Sequence, residues 1–282
     1  MSESLWGQLR RLRYALPGRV GALAPAPTAA DALRLCARLR RLGVKATLGY
    51  FQAAGTSPEA IVAAYRAVAT RAPSDATLSI KAPPLGFGRD EIEAIAAIGP
   101  PLMFDAHAPR DAEATLALVA HLLPARPGTG AVLPARWRRS AADAADLRDT
   151  AARIRLVKGE WADPDWPEAD ATANYLVLVR ALAGRTAPVA VATHDPRLAE
   201  QALTLLTAAG TPCELEQLRG LPRRRTMAVA RRLGVPVRVY VPFGPGWWPY
   251  AIDKALARPY LPLWLLRDRL GWNDPQPMEN RG

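Results

Sequence analysis

PVAVATHDPRLAEQALTLLTAAGTPCELEQLR, residues 188–219, reads as strand, helix, strand. Two short runs, 188–194 and 213–219, flank a stretch over 196–209 whose apolar residues recur at helical spacing. Asp195-Pro196 marks the helix start, a carboxylate cap followed by a ring suited to the first helical position. A helix between two strands points to parallel pairing, because parallel neighbours need a crossover.

The same alternation continues in both directions. Strands are predicted at 44–50, 77–81, 102–106, 130–134, 153–159, 188–194, 213–219 and 237–243, which makes eight. Helices are predicted near 57–72, 89–98, 109–123, 139–152, 168–183, 196–209 and 222–234, with a final pair at about 247–257 and 260–270. Ser57-Pro58 opens one helix, and Gly234 and Pro236 close the seventh. The prediction is an α/β fold, a (β/α)8 TIM-type barrel over 44–270. Residues 1–43 form an extra N-terminal helical segment, a C-terminal helix serves as lid, and 271–282 are a tail. The rival, an open doubly wound sheet, wants a glycine-rich phosphate loop after its first strand. Gly49-Tyr50-Phe51-Gln52 contains no such loop. A length of 282 residues suits a barrel of about 250.

Half of the residues are apolar and 22% are charged, so the composition is that of a folded domain with a sizeable core. The net charge is +11 and arginine dominates the excess. Those arginines are spread through Ala-rich helical stretches without neighbouring aromatics, which predicts a solvated surface and no specific nucleic-acid binding. A peripheral contact with an anionic membrane stays compatible with the charge. Cys36 and Cys213 lie far apart in apolar stretches, which suits buried thiols in a reducing compartment. No apolar run approaches the ~20 residues of a membrane helix, and the N-terminus lacks a secretory pattern. A cytoplasmic location is expected.

Barrel chemistry collects where strands end. Lys81, Asp105, His107, Arg136, Lys158, Glu160, Thr193, His194, Asp195, Arg219 and Tyr240 fall at those ends. RLVKGEW, 155–161, delivers Arg155 and then Lys158 and Gly159, two cations and bare backbone for a phosphate or an electron-rich ring. A strand edge capped by solvated charges reads equally well. VATHDPRL, 191–198, sets Thr193 and His194 before a helix N-terminus, where anions are favoured. A plain N-cap is the alternative there. VRVYVPFGPGWWPY, 237–250, places Tyr240 at a strand end and leads into a helix on which Tyr250, Asp253 and Lys254 share a face. His107, His121 and His194 are the only histidines, and HExxH and CxxC are absent, so no metal is expected.

KATLGYFQAAGTSPEAIVAAYRAV, LSIKAPPLGF, FDAHAPRDAEATL, RLVKGEWADP, VATHDPRLAEQAL, CELEQLRGL, VRVYVPFGPGWWPY and ARPYLPLWLLRDRL follow one another in the order of a known family. From roughly 44 to 270 the chain resembles the proline dehydrogenases. The resemblance implies a distorted barrel with FAD as cofactor, a hydride passing from the carbon beside a secondary amine to flavin N5, and electrons passing on to quinone or oxygen. It also implies that Arg155 and Lys158 contact the flavin and that Gly159 lets the backbone approach it. Thr193 and His194 would bind the ribityl–pyrophosphate part, with Glu214 near the ribose or adenine end. Lys81, Asp105, Tyr240 and Tyr250 would line the substrate side.

The departures concern the substrate. Where the family carries Tyr-x-x-Arg-Arg, two arginines that clamp the proline carboxylate, this chain reads Tyr250-Ala251-Ile252-Asp253-Lys254. A pair of charge +2 has become neutral, and Asp253 repels a carboxylate. Pro134 stands where the family has a flavin-facing glutamine, Glu160-Trp161 where it has Ala-Tyr, and Arg219 where it has an aromatic. The expectation is an FAD-dependent dehydrogenase or oxidase acting on a small amine or imino acid other than free proline. The alternatives are an authentic L-proline dehydrogenase giving pyrroline-5-carboxylate, or a barrel that binds flavin or a metabolite without turnover.

Overall fold

The computed structural model describes residues 25–248 and Ala251. Within them a closed barrel of eight parallel strands runs in the order of the chain. The strands are β1 (Lys45–Tyr50), β2 (Thr77–Ile80), β3 (Leu102–Phe104), β4 (Gly130–Pro134), β5 (Arg153–Val157), β6 (Val189–Ala192), β7 (Cys213–Leu218) and β8 (Val237–Phe243). β8 closes on β1 in a six-residue register from Lys45 opposite Arg238 to Tyr50 opposite Phe243.

The helices follow as α1 (Ala29–Arg41), α2 (Pro58–Ala69), α3 (Arg89–Ala96), α4 (Ala112–Leu122), α5 (Ser140–Leu147), α6 (Ala171–Leu182), α7 (Pro196–Ala208) and α8 (Arg224–Arg232). Their starts are local chemistry. Thr28 and Asp31 cap α1 reciprocally, Ser57 accepts the Ala60 N–H ahead of Pro58, and Asp195 accepts the Arg197 and Leu198 N–H groups ahead of Pro196. α1 is the described part of the 1–43 segment. It buries Ala32, Cys36 and Leu39 and packs on β1 and β8, covering the seam where the barrel closes. The predicted lid helix and tail fall outside the described residues, apart from Ala251.

The apolar core lies between strands and helices. One cluster gathers α1 to α4 against β1, β2, β3 and β8, with Leu48, Leu78, Ile92 and Phe104 at its centre. A second gathers α5 to α8 against β4 to β7 around Leu156, Val191, Leu203 and Leu215. Tyr175 on α6 reaches back to donate to the Leu156 carbonyl at 2.9 Å, tying that helix to β5. Cys36 is buried and Cys213 half-buried, neither in a disulfide. Burial pushes both thiols up to about 11.

The arginines of the Ala-rich helical stretches, such as Arg38, Arg41, Arg224 and Arg232, are exposed as expected, whereas several arginines on strands and turns are structural. Arg155, Arg185 and Arg238 are 3–4% exposed. Arg185 donates to the carbonyls of Leu147, Arg148, Thr150 and Ala152, holding the α5–β5 turn. No described helix is long and apolar enough to cross a membrane.

Candidate active site

Side chains two apart on a strand point the same way. In this barrel Thr47, Ser79, Arg155, Glu216 and Tyr240 all project into the lumen, where they meet one another. Lys81 and Asp105 each follow directly on the last residue of a strand and roof this layer. The lumen is therefore polar where many barrels are packed with hydrocarbon.

Asp105 is the hub. Its Oδ1 accepts from the Ser79 hydroxyl at 2.6 Å and from Arg155 at 3.0 Å, and its Oδ2 accepts from the Tyr240 hydroxyl at 3.2 Å. Lys81 Nζ lies 3.5 Å from the same Oδ2 and donates to the Tyr50 carbonyl at 3.1 Å. It also sits 4.0 Å from the centroid of the Phe51 ring. Arg155 donates to both carboxylate oxygens of Glu216, at 2.8 and 2.7 Å, and to Ser79 at 3.1 Å. Glu216 accepts a further bond from the Thr47 hydroxyl at 2.7 Å. Lys81 and Arg155 together carry two positive charges, Asp105 and Glu216 two negative ones. The floor of the mouth is neutral.

Burial alone would raise the pKa of both carboxylates. The adjacent cations reverse this: Lys81 and Arg155 hold Asp105 below its ordinary value, and Arg155 and Arg153 do the same for Glu216. Burial lowers the Lys81 pKa against the pull of Asp105, and burial followed by Asp105 raises that of Tyr240. A lowered carboxylate pKa gives stability that is present above the unfolded value, near 4, and is lost as pH falls through the folded one. Acid titration followed by circular dichroism should therefore show stability falling below about pH 4. In a variant carrying Asp105→Asn and Glu216→Gln that acid limb should be shallower, and an unchanged limb would refute the assignment.

The other predicted residues fare unequally. Lys158 stands half-exposed at the rim, 4.0 Å from Asp195. Gly159 has φ +98°, and an added Cβ would meet Pro134 Cβ at 2.9 Å, so the neighbouring β4 itself demands a glycine there. The Thr193 hydroxyl accepts the Asp195 N–H at 3.2 Å in a local turn. His194 lies 2.7 Å from the Pro222 carbonyl through Nδ1 and accepts the Leu218 N–H through Nε2 at 3.1 Å. Those partners assign the proton to Nδ1 and make the ring a latch between β6, β7 and the α8 loop. His194 Nδ1 and the Arg197 and Leu198 N–H groups of α7 are thus engaged within the protein, while the Thr193 hydroxyl acts as an acceptor.

Two placements need correction. Tyr240 lies in the middle of β8 rather than at its end, so its hydroxyl enters the lumen beneath the mouth. Glu214 lies near the opposite end of the barrel, at the start of β7, where it accepts from Arg153 and Arg238 and lies 3.8 Å from Lys45. That position does not belong with a group bound at the strands' C-terminal ends. The carboxylate of β7 that faces the mouth is Glu216, two residues on, which the motif reading missed along with Thr47 and Ser79. Tyr250, Asp253 and Lys254 lie outside the described residues. Among the described residues no cluster of three metal-ligating side chains occurs.

At the rim, Trp137 on the β4–α5 loop donates to the Trp161 carbonyl at 2.9 Å, and the Arg138 N–H donates to Asp163 at 2.9 Å. These bonds tie the loops after β4 and β5 together. The Trp161 side chain is 55% exposed.

No protein-family model matches the chain. In sequence it is 35% identical over 130 residues to a proline dehydrogenase of Deinococcus radiodurans, covering 43% of this chain and 41% of that one. It is 31% identical over 139 residues to proline dehydrogenase 1 of Bacillus subtilis, 46% of this chain and 45% of the relative. The matches thus span less than half the length of these curated relatives. In structure it is similar to proline utilization A (PutA) from Bdellovibrio bacteriovorus inactivated by N-propargylglycine, with a TM-score of 0.68 and 18% identity over 82% of this chain and 31% of that one. The same protein from Corynebacterium freiburgense gives 0.66 and 20% over 93% and 32%. At those identities the structures speak to the fold. The chain is similar to bacterial proline dehydrogenases in sequence over 130 to 139 residues, and its barrel shares the fold of the proline utilization A structures.

Proposed function

We propose that this chain is an FAD-dependent oxidoreductase acting on a CH–NH bond, with an amine that lacks a free carboxylate as its substrate. FAD, when bound, supplies the acceptor for the hydride and passes electrons on to quinone or oxygen. The donor set at the floor suits an electron-rich ring. Arg155 makes four hydrogen bonds within the protein and has a fifth N–H to offer, and Lys158 stands at the rim above it.

Around that ring the chain's own groups have separable tasks. Asp105 stays ionised at neutral pH and offers Oδ2 as acceptor to a substrate N–H. Tyr240 stays protonated and gives its one hydroxyl proton to Asp105 Oδ2, fixing the carboxylate that meets the substrate. Lys81, charged and 3.5 Å from Asp105, holds that carboxylate in place at the mouth beside the substrate. Phe51 and Trp247, whose ring centroids lie 5.2 Å apart, wall the mouth beside Lys81 and exclude water from it.

The observation that carries the substrate assignment is the neutrality of the floor. Both of its cations are committed to carboxylates, so no surplus charge is left to hold a substrate carboxylate. Asp253-Lys254 adds none by sequence. The test is an absorbance spectrum after reconstitution with FAD, followed by anaerobic bleaching with a panel of cyclic and acyclic amines and L-proline. The expected result is a flavin spectrum bleached by carboxylate-free amines at lower concentration than by L-proline. Bleaching by millimolar L-proline in preference to them would make the chain a proline dehydrogenase, and failure to take up FAD would sink the proposal.

A further inference from the structure

We infer that Glu216 is a positioning residue for the proposed reaction, a buried carboxylate that clamps Arg155 and cancels its charge at the floor of the mouth. The inference rests on the proposed function and adds a residue to it. Glu216 is 3% exposed, and all its bonds run across the lumen. Oε1 accepts from Thr47 on β1 and from Arg155 on β5, and Oε2 accepts from Arg155 Nε. Two parallel N–H donors meeting one carboxylate fix the guanidinium plane as well as its place, the geometry for which arginine is suited.

The charge count gives Glu216 a role beyond glue. Asp105 alone would face two cations, Lys81 at 3.5 Å and Arg155 at 3.0 Å. Glu216 takes half of that load. Without its charge the floor becomes net positive in a site shielded from water, where a uncompensated charge is felt strongly. An electron acceptor lodged against Arg155 would then be easier to reduce. Glu216 thus sets how readily the site accepts electrons, and it does so without touching the acceptor.

Glu216→Gln keeps the shape and removes the charge. In the whole 282-residue chain reconstituted with FAD, the midpoint potential of bound flavin should move positive by at least tenfold in the two-electron equilibrium constant, about 30 mV. A purely structural role predicts a lower melting temperature and an unmoved potential, and that outcome overturns the inference. Should Glu216→Gln not fold, Glu216→Asp carries the test, because it keeps the charge and shortens the clamp. Its FAD should bind at least tenfold more weakly with a potential within threefold of the parent, and an unchanged Kd overturns the inference. A parent protein that takes up no FAD would defeat the proposed function itself. A parent that binds FAD beside an indifferent Glu216→Gln defeats the clamp alone.

Discussion

Arg155→Met is expected to cost roughly 3–5 kcal/mol of folding stability, the usual consequence of leaving a buried ion pair half-made. Methionine fills much of the volume but donates nothing. Glu216 at 3% exposure and Asp105 beneath Lys81 would each lose their closest guanidinium contact, at 2.7 and 3.0 Å. In a chain of this length that loss corresponds to a melting temperature lower by on the order of 10 °C. The remedy is as informative as the damage. Arg155→Met combined with Glu216→Leu removes both charges and should recover a large part of the loss, since apolar replacement of a whole buried pair is often tolerated. Thermal melts of parent, single and double variants decide the matter. A single variant melting within about 2 °C of the parent would mean that water reaches these carboxylates.

The second large effect is expected from one methyl group. Gly49 lies in β1 against the Tyr240 ring, and a Cβ there would fall 2.0 Å from the hydroxyl oxygen, 2.4 Å from Cζ and 2.7 Å from Cε1. A ring cannot bend away from such a contact, so in Gly49→Ala Tyr240 must swing from its place and give up its bonds to Asp105 and Lys81. Overpacking of this kind costs about 1–3 kcal/mol. Displacing a group that orients substrate by an ångström costs on the order of 100-fold in rate. The kcat/KM for whichever amine bleaches the flavin should therefore fall on the order of 100-fold in a protein that remains folded. Turnover equal to the parent would show that Tyr240 does not orient the substrate.

Much of the fold was legible because its signals are local. β4 and β8 lie where their apolar runs place them, 130–134 and 237–243, and the other strands differ by one to three residues at their ends. Ser57-Pro58 and Asp195-Pro196 act as helix starts because a cap needs only its own next three residues. Lys81 and Asp105 were legible for a similar reason: each is the first polar residue after a buried run. Glu216 was not. Arg153, Arg155, Glu214 and Glu216 show the spacing that puts them on one face of β5 and β7, but strands buried on both sides do not announce which face is the lumen. Moreover β5 and β7 are not neighbours, so no pairing register links Arg155 to Glu216. The engagement of His194 depends on a carbonyl 28 residues away, and Glu214 was misplaced because a motif match carries no depth along the barrel axis.

The line of charges through the lumen, from Lys45, Arg153, Arg238 and Glu214 at one end to Lys81 and Asp105 at the other, has a calorimetric consequence. Heat capacity rises when unfolding exposes apolar surface and falls when it exposes polar surface. A barrel lined with guanidinium and carboxylate groups should unfold with a smaller increment per residue than one of the same size filled with valine and leucine. Its stability curve is then flatter in temperature. The dehydration of its ion pairs also grows less costly with heating, as the hydration of charge weakens.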